Sequence, residues 1–270
     1  MKKLKIGIVG CGAIGSAIAL ASKDILKDTV ETVALYDLDK KKLSGLAGLI
    51  NKNTVSGSMD EVFDKSDLVV EAAGAPVSPE IVKKAIEKSK SVMIMSVGGL
   101  IGSASLLGEA RSKAVNVYFP SGAISGLDAL KAAKVSKIES VTLTTRKPPK
   151  GLAGAPYLKK KGMDIASIKG EQVVFEGSAS EAVKGFPRNI NVASLLSLAG
   201  LGSAGTRVRI ISSPDYTTNT HEVEIKGDFG RITAKTENVP FERNPKTSKL
   251  AALSAIATIR GIAESVKFGT

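Results

Sequence analysis

Apolar residues in the first 120 positions come in short β-branched runs, separated by stretches with helical spacing. Ile6–Val9 is such a run, as expected of a strand buried on both faces. Ser16–Ser22 is rich in alanine and predicts a helix. Thr32–Tyr36 predicts a second strand, after which Leu43, Leu46, Ala47 and Ile50 share one helical face. A weak strand signal near Val55 precedes a clear one over Leu68–Ala72. Pro79 opens a helix through Ile81, Val82, Ala85 and Ile86, near the N-terminus, where the missing N–H does no harm. Ser91–Met95 predicts a strand stopped by Gly98-Gly99, Ser103 to Ala114 a helix, and Asn116–Phe119 the last strand of the series. Such alternation predicts an α/β unit built on a doubly wound parallel sheet with right-handed crossovers.

The pattern changes after Pro120. Strand-like runs follow closely at Ser140–Thr145, Gln172–Glu176, Arg207–Ser212, His221–Lys226 and Arg231–Thr236. Helical stretches intervene at Gly126–Ala133 and Asn191–Ala199, and Lys226–Gly230 reads as a hairpin connection. This half predicts an α+β domain with a mixed or antiparallel sheet and helices on one face. Thr247 to Val266 predicts a closing helix with Ala251, Ala252, Ala255, Ile256, Ile259 and Ile262 on its apolar face. The expected division is a first domain over 1–120, completed by a C-terminal helix within 245–270, and a second over 121–244.

Composition narrows the class. At 270 residues and 43% hydrophobic, the chain can bury a core without disulfides, and disorder is excluded. One cysteine and one histidine exclude a structural His/Cys zinc site within the chain, and no metal is expected. The net charge of +12 invites a nucleic-acid reading. The lysines are scattered, however, and base-stacking aromatics are few, at 7 Phe and 4 Tyr. No nucleic-acid partner is therefore expected. The basic start and the apolar run Ile6–Ala21 imitate a signal peptide, but the glycine spacing favours strand, turn and helix. No other run approaches the ~18 apolar residues of a membrane span, so the expectation is a cytoplasmic protein.

The turn Gly10-Cys11-Gly12-Ala13-Ile14-Gly15 carries the first chemistry. Gly10 permits the tight turn, Gly12 lets a pyrophosphate approach the backbone, and Gly15 lets the helix pack close to the strand. The N–H groups of the helix start, around Ala13 and Ile14, face such a phosphate. Asp37 ends the next strand, placed to accept from the adenosine ribose hydroxyls. This is a dinucleotide-binding, Rossmann-type signature. Asp37 favours NAD, while Lys40, Lys41 and Lys42 just beyond leave NADP open. Cys11 is read as a small space-filler.

His221, the one histidine, must serve any imidazole-based mechanism. It lies among Thr217-Thr218-Asn219-Thr220-His221-Glu222, and a structural or merely exposed histidine is the plain alternative. Ser121, in Pro120–Ala123, sits where ligands bind in parallel sheets, or in a simple turn between domains. Arg146 and Lys147 are candidates to hold a carboxylate, or they end a strand in a solvated basic turn. Either Asn189 or Asn191 is also a candidate helix cap.

These residues together resemble the L-aspartate dehydrogenase family. The likeness runs through Gly10–Gly15, Ser96–Gly99, Pro120–Ala123 with Gly126–Ala129, and Thr144–Pro149. It continues through Asn189–Ala193, Asn219–Glu222, Thr236–Pro240 and Asn244–Thr247. The resemblance implies an NAD(P)-binding domain, a second α/β domain and a homodimer. It implies oxidative deamination of L-aspartate to iminoaspartate, which gives oxaloacetate and ammonia or serves NAD biosynthesis. It places His221 at the reacting centre, and Ala123 and Asn191 at the cofactor, with Asn189 as the competing choice. Ser121, Asn219, Arg146 and Lys147 are then the candidates for the substrate. Two rivals are another NAD(P)-dependent reductase of aspartate-family or lysine metabolism and a non-catalytic NAD-binding protein. An aldehyde dehydrogenase with a nucleophilic cysteine is disfavoured, because the one cysteine lies in the glycine turn.

Overall fold

Five strands alternate with helices in the first part of the computed structural model. The structure describes residues 2–187, 190–241 and 244–269, with the backbone alone for 244–246. In chain order these elements are β1 (Leu4–Val9), α1 (Ala13–Asp24), β2 (Val30–Tyr36), α2 (Lys40–Ile50), α3 (Met59–Lys65), β3 (Leu68–Glu71), α4 (Ser78–Glu87), β4 (Ser91–Ile94), α5 (Ala104–Ser112) and β5 (Val117–Tyr118). All neighbouring pairs are parallel, in the order β2-β1-β3-β4-β5. The run near Val55 forms one isolated bridge to Leu35 rather than a strand.

β3 is buried along its whole length, which is why its sequence shows no alternation. Ile6, Ile8, Leu35, Leu68, Val70 and Met93 pack against Ile18 of α1 and Leu43 and Leu46 of α2. Each such side chain contributes about 1.5–3 kcal/mol when fully buried. Ala255 and Ile259 of the C-terminal helix join the same cluster.

The second part contains α6 (Leu127–Ala133), β6 (Ile138–Lys147), α7 (Pro156–Lys160), β7 (Gln172–Ser178), α8 (Ala179–Gly185), α9 (Asn191–Ala199), α10 (Gly202–Gly205), β8 (Thr206–Ser212), β9 (Asn219–Gly227) and β10 (Gly230–Asn238). Its sheet runs β10-β9-β6-β8-β7. β6 and β8 are parallel and every other pair is antiparallel, so the sheet is mixed, as expected. Residues 141, 143, 145 and 147 of β6 are buried; of the intervening residues Thr142 and Arg146 are less so, while Thr144 is buried as well.

The closing segment departs from its expectation. Asn244–Ser248 is β12, paired antiparallel with β11 (Pro240–Phe241), and the helix α11 starts at Lys249 and ends at Ala263. The β11–β12 pairing holds the backbone extended through Ser248, so the helix begins two residues later than Thr247. The chain divides into two compact units, Met1–Pro120 with Ala252–Phe268, and Ser121–Ala251 with Gly269–Thr270.

Candidate active site

The first unit supplies a phosphate-binding turn built from backbone. Gly10 adopts φ 103°, in the left-handed region that favours glycine, and a Cβ there would stand 2.4 Å from the Ala72 carbonyl carbon. A Cβ on Gly15 would stand 1.9 Å from the Gly10 oxygen, so only glycine allows α1 to approach so closely. A Cβ on Gly12 would enter open space, with nothing within 4 Å. Gly12 is also the N-cap of α1, and no side chain caps that helix. Ala13 and Ile14 begin the helix there, half-buried. An uncovered turn beside an uncapped helix N-terminus fits a pyrophosphate.

Asp37 leaves the end of β2 and turns back onto this loop. Its Oδ2 accepts from the Cys11 N–H at 2.7 Å and its Oδ1 from the Asp39 N–H at 2.8 Å. Each carboxylate oxygen retains a second lone pair for a ribose hydroxyl. The Cys11 thiol is buried, and burial, followed by the nearby Asp37 charge, pushes its pKa up to about 12. Such a thiol is inert. Asp39 caps α2 by accepting from the N–H groups of Lys41 and Lys42, and its carboxylate lies 3.5 Å from the Lys42 Nζ. Lys40 lies over the Tyr36 ring.

The second unit supplies side chains on the covered face of its sheet. His221 of β9 stands opposite Thr145 of β6 on one side and Thr236 of β10 on the other. Its Nδ1 is 2.9 Å from the Thr145 Oγ1. The ring is only 8% exposed. Burial first, and then the charge of Lys147, lower its pKa to about 3. The imidazole is therefore neutral near pH 7 in the ligand-free protein. Lys147, two residues beyond Thr145, shares this face and is itself 8% exposed. Burial lowers its pKa to about 8.

A polar relay ties the Ser121–Gly126 loop to the same place. The Ala123 carbonyl accepts from Thr236 Oγ1 at 2.9 Å and from Asn238 Nδ2 at 3.0 Å. Thr236 Oγ1 also reaches the His221 carbonyl, and Asn238 Oδ1 accepts from Ser248 Oγ at 2.6 Å. Ala123 is thereby fixed one strand away from His221. Ser121 lies half-buried in the same loop, its carbonyl accepting from the Ile124 N–H.

Lys147 and Asn219 both line a cleft of about 550 Å³, bounded by Pro148, Lys150–Pro156, Phe186, Thr217, Thr218 and Pro240. Arg146 is not brought to it. As the residue between Thr145 and Lys147 it emerges on the opposite sheet face, where it pairs with Glu222 at 3.0 Å. Asn191 is the exposed first residue of α9, with Ile190 at the N-cap position, and Asn189 lies outside the described residues.

Sequence reasoning did not single out Thr145, Thr236 or Asn238. The signal was present: polar side chains on the two strands flanking β9, on the same face as the one histidine, Thr145 and Asn238 buried and Thr236 half-buried. Among the described residues, no group of three or more His, Cys, Asp or Glu is placed to hold a metal, and no helix is long and apolar enough to cross a membrane.

Comparison with known proteins agrees with these features along the whole chain. Residues 128–262 match the family described as "Aspartate dehydrogenase, C-terminal", and residues 10–120 match "Homoserine dehydrogenase, NAD binding domain". The L-aspartate dehydrogenase of Methanosarcina mazei is 45% identical over 271 residues, covering 99% of this chain and 100% of its own. That of Methanocaldococcus jannaschii is 43% identical over 273 residues, again covering 99% and 100%. The crystal structure of aspartate dehydrogenase from Thermotoga maritima superposes with a TM-score of 0.77 at 29% identity, over 99% of this chain and 100% of that one. With an NAD-binding match over the first unit, an aspartate dehydrogenase match over residues 128–262 and 45% identity along its full length to a curated relative, the chain belongs to the L-aspartate dehydrogenase family.

Proposed function

We propose that the chain catalyses NAD(P)-dependent oxidative deamination of L-aspartate to iminoaspartate, and the reverse reductive amination of oxaloacetate, with His221 carrying the proton. The observation that carries the site assignment is the buried imidazole, held by Thr145 on the sheet face that also bears Lys147, which lines a cleft. Full-length identity with curated L-aspartate dehydrogenases supports the substrate.

NAD or NADP, when bound, supplies the acceptor for the hydride leaving the substrate α-carbon. Gly10, Gly12 and Gly15, with the amides of Ala13 and Ile14, would hold its pyrophosphate, and Asp37 its adenosine ribose. Ala123 and Asn191 are carried forward at the cofactor from the family resemblance.

His221 acts in its neutral form. With Nδ1–H donated to Thr145 Oγ1, the lone pair lies on Nε2, free to take a proton from the substrate amine or from a water attacking the imine. Lys147 takes a substrate carboxylate, with Asn219 lining the same cleft and Ser121 a further candidate. A bound dicarboxylate brings negative charge beside both Lys147 and His221. That charge holds the ammonium protonated and raises the imidazole pKa towards neutrality, where proton transfer is efficient. Substrate binding itself then tunes the base. Arg146 lies on the opposite face and its Glu222 pair fits a structural role better. The resemblance also supports a homodimer and a link from iminoaspartate to NAD biosynthesis, and the single buried thiol fits a reducing, cytoplasmic setting.

The test follows NADH and NADPH absorbance with ammonia and a panel of 2-oxoacids. Oxidation with oxaloacetate is expected. Activity confined to another 2-oxoacid overturns the substrate, and no activity with any of them overturns the enzyme.

A further inference from the structure

β3 is apolar except at its last residue. Leu68, Val69 and Val70 are followed by Glu71, which is 0% exposed. An apolar side chain would suit the position better, because a buried carboxylate is expensive unless fully hydrogen-bonded. Glu71 meets that condition with backbone alone. Its Oε1 accepts from the N–H groups of Ala73 and Gly74, at 2.9 and 2.8 Å, and its Oε2 from the N–H of Ser96 at 2.8 Å. One carboxylate thus binds the turn after β3 to the turn after β4.

The turn after β3 is also pressed from two sides. A Cβ on Gly10 would stand 2.4 to 2.6 Å from the backbone of Ala72 and Ala73. A Cβ on Gly99 would stand 2.0 Å from the Ala75 oxygen. Ser78 at the start of α4 donates to the Ser96 carbonyl at 3.0 Å. The backbone of the Ala72–Gly74 turn therefore lies directly against the glycine turn, too close for a side chain at Gly10.

The strand order explains why that matters. In the order β2-β1-β3-β4-β5, the chain reverses direction of travel between β1 and β3. In such sheets the ligand crevice opens beyond the carboxyl ends of the strands at this switch point. The Gly10–Gly15 turn is one wall of the crevice and the Ala72–Gly74 turn is the other. We propose that Glu71 is a positioning residue for the dinucleotide, a buried anion that sets the width of the crevice by holding the wall opposite the glycine turn. It touches no ligand and acts through the backbone of Ala73, Gly74 and Ser96. This rests on the dinucleotide site assigned to the first unit.

Glu71→Gln tests it with little change of shape. The new carboxamide oxygen can still accept from Ala73 and Gly74, but its NH2 group then faces the Ser96 N–H, donor against donor. NADH fluorescence titration and steady-state kinetics on the full chain are read together. The Kd for NADH is expected to rise about tenfold, the scale of one charge-assisted hydrogen bond, with kcat at saturating NADH and KM for oxaloacetate within about twofold of the unsubstituted chain. A Kd within about twofold overturns the proposal, whether or not thermal stability falls, because Glu71 is then a structural group only. A loss of kcat as large as the loss of binding also overturns it. If Glu71→Gln does not fold, Glu71→Asp, which keeps the charge and withdraws the oxygens by one methylene, is judged by the same limits. Failure of the unsubstituted chain to bind NADH would instead sink the dinucleotide assignment.

Discussion

The two units hold their polar groups in opposite ways. In the first, the candidate site is made largely of backbone: glycines without side chains and an uncapped helix N-terminus, with the Asp37 carboxylate beside them and Glu71 behind them, both bonded to loop amides. In the second it is made of side chains standing on one sheet face, with His221, Thr145, Lys147 and Asn238 nearly excluded from water and Thr236 half-buried. Backbone amides have fixed dipoles and no titration, which suits a cofactor that binds and leaves unchanged in its phosphates. Side chains with shifted pKa values suit a step in which protons move. The difference predicts that substitutions in the first unit alter binding of the dinucleotide, while substitutions in the second alter turnover and substrate binding.

The largest effect separates the two directly. His221→Ala is expected to lower turnover by roughly 10²–10⁴-fold, while NADH titration gives an unchanged Kd. Unchanged turnover would remove His221 from the reaction, and loss of NADH binding would erase the distinction between the units.

Lys147→Met sharpens the contrast within the second unit. Removing the cation is expected to raise KM for aspartate by about tenfold to a hundredfold, measured in steady-state assays. In the unsubstituted chain KM should climb above about pH 8, as the Lys147 ammonium loses its proton. Stability should move the other way. The folded pKa of about 8 lies below the ordinary 10.5, so between these values the unfolded chain holds more protons and stability rises with pH. Lys147→Met removes that slope in urea unfolding, and near neutral pH it relieves a penalty of about 3 kcal/mol. A variant both less stable and unchanged in KM would mark Lys147 as a packing residue. The smallest of these effects is the tenfold change in NADH affinity expected at Glu71, with turnover spared.

The same contrast governs what could be read from the sequence. The first unit was legible because its strands are short apolar runs and its glycines have a fixed spacing; even so, Glu71 was hidden at the end of an apolar run, since its partners are backbone amides that carry no sequence signal. α3, α7 and α8 escaped because a helix of one or two turns holds too few apolar positions to establish a period. In the second unit His221 stood out by being alone, whereas Thr145 depends on the strand register that pairs it with His221 76 positions away, and Asn238 on a bond to the loop carbonyl of Ala123 115 positions away. Arg146 and Lys147 looked equivalent as neighbours in sequence, and the two-residue period of β6 placed them on opposite faces. The start of the last helix was set by the β11–β12 pairing rather than by its apolar stripe.

A chain with a single histidine gives one imidazole resonance, so NMR of histidine-labelled protein reads the reacting group directly. In the ligand-free protein the ring is predicted to stay neutral from pH 8 to below pH 5, in keeping with a pKa of about 3. Adding NAD and succinate, an unreactive dicarboxylate, should move that pKa upward by more than about one unit. A ring that titrates near 6.5 in the free protein and ignores succinate would be an ordinary solvated histidine, and the proposed proton carrier would be lost.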